Sequence, residues 1–211
     1  MKKLTSMLIL LALVTATVSA QFGIGGGPKI AFSKSKILNG DPSVLNGKVI
    51  SVEFIYDGMA VGKFKNEEDY IAKKRGEYNE KEAGRGDKWA EKWKSDRKTR
   101  YEPSFIEKFN ELGSKTKTKV QKEAGGADYK LVITTTFTEP GYNVVVAREP
   151  ARINTICDFQ DMTGKSVVKV AVDKVPGQTF GGYDYDTGVR LSESYEKLGK
   201  DLYKTISKKF K

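Results

Sequence analysis

From residue 129 to residue 172 the chain repeatedly alternates apolar with polar or threonine side chains, and that alternation dictates a sheet. Leu131, Ile133, Thr135 and Phe137 interleave with Val132, Thr134, Thr136 and Thr138. β-Branched residues at period two suit a pleated, half-buried surface. Glu139-Pro140-Gly141 breaks the run, and further strand-like stretches follow at 142–147, 152–159 and 166–172. The polar segment 161–165 joins the last two as an antiparallel hairpin. Cys157 falls on the alternation Ile153, Thr155, Cys157, Phe159, which predicts a buried structural thiol. One earlier strand is expected at 48–56, with Ile50, Val52, Phe54 and Tyr56 on one face and Asp57-Gly58 closing it.

Elsewhere the period changes to that of a helix. Asn66 is an N-cap, Glu67, Glu68 and Asp69 suit the positive helix start, and Tyr70, Lys74 and Tyr78 share one side. Gly84 and Gly86 are expected to interrupt it. A second helix carries Trp89 and Trp93 four residues apart, on one face. Pro103 opens a third, with Phe105, Ile106, Phe109 and Leu112 at helical spacing. A basic stretch at 115–122 prolongs this region until Gly125-Gly126 ends it. Finally, Leu191, Tyr195, Leu198, Leu202 and Ile206 form the apolar stripe of a C-terminal amphipathic helix.

The expected fold class is α+β. A mainly antiparallel sheet of four or five strands is covered by the C-terminal helix and a central helical insertion at 66–124. The single domain spans 48–211. Before it, 21–47 reads as a flexible or extended segment, and its Gly23, Gly25 and Gly27 lack the preceding strand that a phosphate-binding loop needs. Residues 1–20 read as a secretory signal peptide: Lys2 and Lys3, an apolar run at 7–14, and Val18-Ser19-Ala20 before the cut. Gln21 follows, so no cysteine there carries a lipid. The expectation is export to the periplasm or beyond, with cleavage after Ala20 and no transmembrane anchor in the mature chain.

Several chemistries are set aside on composition. There is no histidine among 211 residues, which removes the imidazole base of serine and cysteine hydrolases and imidazole zinc sites. A single cysteine forms neither an intrachain disulfide nor a thiolate cluster. The net charge is +10, but the lysines are dispersed among acidic residues rather than blocked together. Exported and without a legible nucleic-acid module, the chain is not expected to bind nucleic acid.

Four motifs are weighed. Asp184 and Asp186, followed by Gly188, offer hard oxygen ligands for calcium, but Gly188 and Tyr195 stand where the twelve-residue loop needs acidic residues. The alternative is a solvated loop before the last helix. Arg85-Gly86-Asp87 matches an integrin-binding tripeptide, against which stands a plain helix break. Trp89 and Trp93 line either a glycan- or protein-binding surface or the buried face of a helix. Glu67 and Glu68 are adjacent, a poor start for paired carboxylate catalysis. No catalytic, cofactor-binding or metal-ligating residue is assigned.

Gly84-Arg85-Gly86-Asp87-Lys88-Trp89, Arg100-Tyr101-Glu102-Pro103 and Phe137-Thr138-Glu139-Pro140-Gly141-Tyr142 resemble segments of a group of uncharacterised exported proteins of Bacteroidetes bacteria. That resemblance brings no activity or site residues. The element order is loosely similar to the N-terminal domain of TolB and to periplasmic activators of penicillin-binding proteins, a likeness of plan alone. The expected function is non-catalytic: an exported protein of the periplasm or cell envelope that binds another protein or a cell-surface component. The alternatives are a carboxylate-dependent glycan-cleaving enzyme and a basic surface binder of lipid or acidic polysaccharide.

Overall fold

The computed structural model describes residues 32–144, 147–177 and 186–210. Residues 1–20, read as a signal peptide, the glycines near residue 25 and Asp184 lie outside the described residues. The class is α+β. Its sheet, however, has seven strands and is mixed, larger and less antiparallel than the alternation implied.

The strands are β1 (Lys34–Asn39), β2 (Val49–Ile55), β3 (Ala60–Val61), β4 (Lys119–Gln121), β5 (Tyr129–Glu139), β8 (Arg152–Gln160) and β9 (Ser166–Pro176), while β6 (Tyr142–Val144) and β7 (Ala147–Glu149) make a separate small hairpin. In space the order is β1-β9-β8-β5-β2-β4, with β3 beside the far end of β5. The hairpin read from sequence forms as expected: β8 and β9 are antiparallel, with Cys157 opposite Val170. By contrast, β2 runs parallel to both β4 and β5. Parallel pairing needs a long crossover, and the helical insertion supplies it. Alternation reports which face a side chain occupies but not which way the neighbouring strand runs, so the direction was not legible.

The run expected as one strand at 142–147 is instead β6 followed by the start of β7, its antiparallel partner. In the main sheet three strands were missed for related reasons. β1 lies in the stretch expected to be flexible or extended, and pairs with β9 from Lys34 opposite Asp173 onward. After it, Asp41 caps a short 3-10 turn (Pro42–Leu45) that places Leu45 fully inside the core. The ordered fold therefore starts well before residue 48. β4 falls inside the stretch expected to be helical, where Val120 alone is buried among charged neighbours. β3 is only two residues long. A two- or three-residue strand leaves no periodicity to read.

The helices are α1 (Glu67–Asn79), α2 (Arg85–Asp96), α3 (Glu102–Gly113) and α4 (Thr187–Ser207). The cap at Asn66 is present, its side chain accepting from the Asp69 N–H at 2.8 Å. α1 ends at Asn79, and Gly84, in the left-handed region, starts α2. Gly86 is thus inside a helix rather than interrupting one. A Cβ there would lie 2.1 Å from the Arg75 carbonyl oxygen, so glycine lets α1 and α2 approach closely. Pro103 stands in the first turn of α3 as expected, and α2 runs into α3 through a π-helical turn (Arg97–Tyr101). Pro103 has no N–H for the carbonyl one turn back and its ring needs room there, which the wider turn provides. That turn also carries Tyr101 into the core, its ring stacked nearly parallel on that of Tyr195 at 5.1 Å.

α3 and α4 cover one face of the sheet. Leu191, Tyr195, Leu198, Leu202 and Ile206 are all buried against Ile153, Cys157, Phe159, Val170 and Val172. Burying each aliphatic side chain of this stripe contributes about 1.5–3 kcal/mol. Cys157 is wholly enclosed, and burial pushes its thiol up to about 12. The opposite face carries the polar half of the alternation, laced by cross-strand ion pairs such as Lys130–Glu53 and Lys169–Asp158.

Candidate functional site

Where the insertion meets the start of α4, an open cleft of about 430 Å³ is lined by Tyr78, Trp89, Lys92, Trp93, Asp96, Asp186, Thr187 and Gly188. One wall is α2, because Trp89, Lys92, Trp93 and Asp96 recur at helical spacing on the same side. The two indoles are stacked 5.7 Å apart, and Tyr78 and Tyr70 each meet Trp89 at 5.7 Å. Trp93 is buried and Trp89 half-buried against the core, so the buried-face reading holds for Trp93 and in part for Trp89. Trp93 is a structural anchor whose indole N–H donates to Glu67, which also pairs with Arg97. Trp89 stays at the surface of the cleft.

The polar end is a closed network of four charges. Lys92 donates to Asp96 at 3.2 Å and to Asp186 at 2.9 Å. Arg100 bonds the same two carboxylates, at 3.2 Å to Asp96 and 3.0 Å to Asp186. Two cations on two carboxylates leave no net charge. Asp186 also caps α4, accepting the Gly188 N–H at 2.9 Å. Partial burial alone would raise its pKa, but the bonds from Lys92, Gly188 and Arg100 outweigh that and hold its carboxyl below the usual range. Gly188 is required by contact: a Cβ there would sit 2.1 Å from Asp96 Oδ2. Thr187 Oγ1 accepts from Arg190 at 3.0 Å, leaving its own hydrogen to donate.

A second groove, about 660 Å³, runs beside β2 and the 161–165 turn, and includes Glu53, Glu102, Lys122, Lys130 and Asp161. Its carboxylates are engaged as well. Glu53 pairs with Lys130, and Glu102 with Lys122 at 2.7 Å. Asp161 is held low in pKa by the Thr163 hydroxyl and the Lys165 and Thr163 N–H groups.

The other motifs resolve simply. Asp186 is a helix cap bonded to two cations, and among the described residues no group of three or more potential ligands could hold a metal. Asp184, its partner in the calcium reading, lies outside the described residues. Arg85-Gly86-Asp87 forms the first turn of α2, with Asp87 paired to Arg75 and the Gly86 N–H bonded to Asn79. Glu67 is a buried partner of Trp93 and Arg97, and exposed Glu68 does not share its setting. Sequence reasoning missed the charge network. Lys92, Asp96 and Arg100 stand at four-residue intervals on one helix side, a visible signal, but Asp186 lies 94 positions beyond Lys92.

Among the described residues, no helix is long and apolar enough to cross a membrane. No family model and no curated protein matches the chain. Among solved structures, the chain is similar to a PelC dodecamer subunit from Paraburkholderia phytofirmans, at 12% identity over 80% of this chain and 98% of that one, with a TM-score of 0.36. It is also similar to a minor lipoprotein from Acinetobacter baumannii, at 10% identity over 76% and 93% of the two chains, with a TM-score of 0.29. Neither likeness carries an assembly or an activity to this chain.

Proposed function

We propose that this is an exported, non-catalytic binding protein of the cell envelope, and that the cleft between α2 and the start of α4 receives its partner or surface component. The observation that carries this reading is the state of the cleft's carboxylates. A glycan-cleaving enzyme needs one carboxyl with a raised pKa to act as acid and a second poised across the bond. Asp186 is instead pulled down and, with Asp96, tied to Lys92 and Arg100. Such a network orients a ligand; it does not transfer protons. The aromatic wall gives the cleft contact area beside fixed polar groups, the mixture expected of a recognition site. A basic surface binder is less well supported, because Lys92, the cation that lines this cleft, is neutralised locally by Asp96 and Asp186.

Photocrosslinking tests it. A photoreactive side chain at Val189, exposed beside the cleft, is compared with one at Val44, exposed on the 3-10 turn. In native envelopes, Val189 should yield adducts that Val44 does not. Equal yields from both positions, or none from either, would refute the assignment.

A further inference from the structure

We propose that the cleft is a subsite for a neutral pyranose unit of a glycan, stacked on Trp89 and bonded through its hydroxyls to Lys92, Asp186 and Thr187. This rests on the binding role given above and names its ligand class. The two halves of the cleft make opposite demands. Trp89, half-buried, presents aromatic surface that favours a flat face of C–H groups, while Tyr78 beside it carries Lys74, Lys81 and Arg85 at 5.5–5.9 Å from its ring centre. A few residues away, Lys92 and Asp186 keep 47% and 37% of their side chains exposed while locked in place by their mutual bond. They offer donors and acceptors whose orientation is already fixed, so little order is lost on binding.

A sugar ring carries both kinds of surface. Other ligand classes fit one half only. An acyl chain would bury the polar network without satisfying it. A free anion finds both cations already paired with carboxylates, and a free cation finds the carboxylates already paired with cations. The neutrality of this four-charge network, with its many hydrogen-bonding positions, points to a neutral ligand rich in hydroxyls. The volume of about 430 Å³ falls in the range of small-ligand pockets, about 300–1,000 Å³.

The test is a titration of the full mature chain with cellotetraose, maltotetraose, chitotetraose and, as a charged control, trigalacturonate. Binding is read by saturation-transfer NMR and by tryptophan emission. At least one neutral oligosaccharide should bind with a dissociation constant near or below about 1 mM, insensitive to salt. Trp89→Ala should weaken it by about tenfold or more, as expected on losing an aromatic anchor. Thr187→Ala, a gentler change, should weaken it by a smaller factor and guards against misfolding of the tryptophan variant. Three results would overturn the proposal: no neutral sugar bound, binding indifferent to both substitutions, or binding of trigalacturonate alone that salt abolishes. Should Val189 still crosslink to an envelope protein while no sugar binds, the ligand class fails and the binding role stands.

Discussion

The layer of β5, β8 and β9 under α4 and the α1–α2 insertion are held by different physics. Beneath α4 the contacts are aliphatic and redundant: Ile153, Val170, Val172, Leu198 and Leu202 are all fully enclosed. The α1–α2 region has one buried tyrosine, one buried tryptophan and two buried carboxylates, and depends on directional bonds at Glu67, Arg97, Asp96 and Lys92. An aliphatic layer tolerates the loss of a polar contact, whereas a small cluster organised around one carboxylate does not. The proposed binding cleft lies where the second region meets the first.

The sharpest way to break this comparison is at the core stripe. Leu198→Asp with Leu202→Asp places two charges where both side chains are fully buried. The loss should be at least about 5 kcal/mol, comparable with a domain's total stability of about 5–15 kcal/mol. Thermal melting should show no folded baseline, while altering exposed Lys208 and Lys209 should leave the melting temperature unchanged. Next comes Glu67→Gln, which leaves Arg97 without its counter-charge. A loss of about 2–3 kcal/mol is expected, at or below the usual range for breaking a buried pair because Arg97 keeps 17% of its side chain exposed. Amide exchange should quicken in α1 and α2 and stay slow in β8 and β9. Gly188→Ala should cost about 1–2 kcal/mol by overpacking against Asp96, read as a lower denaturant midpoint.

Titration separates the regions more finely. Cys157 has its pKa raised in the fold, so the unfolded chain releases a proton first. That contribution to stability is whole below the unfolded thiol's value near 8.5 and falls by about 1.4 kcal/mol per pH unit above it. Denaturant melts between about pH 8.5 and 9.5 should show this slope, and Cys157→Ala should flatten it. Asp186 has its pKa lowered, so its contribution is whole above the ordinary carboxylate value near 4 and disappears as the pH falls through the lowered one. Asp186→Asn should remove part of the acid dependence. The effect should be small, because the side chain is 37% exposed.

The same contrast explains what the sequence disclosed. The β8–β9 hairpin, the α4 stripe and the Asn66 cap are local patterns, and each is found where its residues imply. Short β3 and β4 leave no pattern, and the parallel sense of β2 depends on a route through more than sixty residues. The cleft was half visible. Trp89 and Trp93 were legible as a pair, but only the fold shows Trp93 tied to Glu67 and Trp89 left at the surface. Asp186 drew notice as a possible calcium ligand, and only tertiary structure brings Lys92 and Arg100 to it.

Binding without turnover at the Trp89 face is tested most directly by co-sedimenting the purified chain with washed cell envelopes while assaying the supernatant for released glycan fragments. The chain should sediment with the envelopes, Trp89→Ala should reduce the bound fraction by about tenfold, and no fragments should accumulate with time. Equal sedimentation of the variant would move the binding surface elsewhere. Fragments that accumulate with wild-type protein, and stop when Asp186 or Asp96 is replaced, would contradict the reading and make the chain an enzyme.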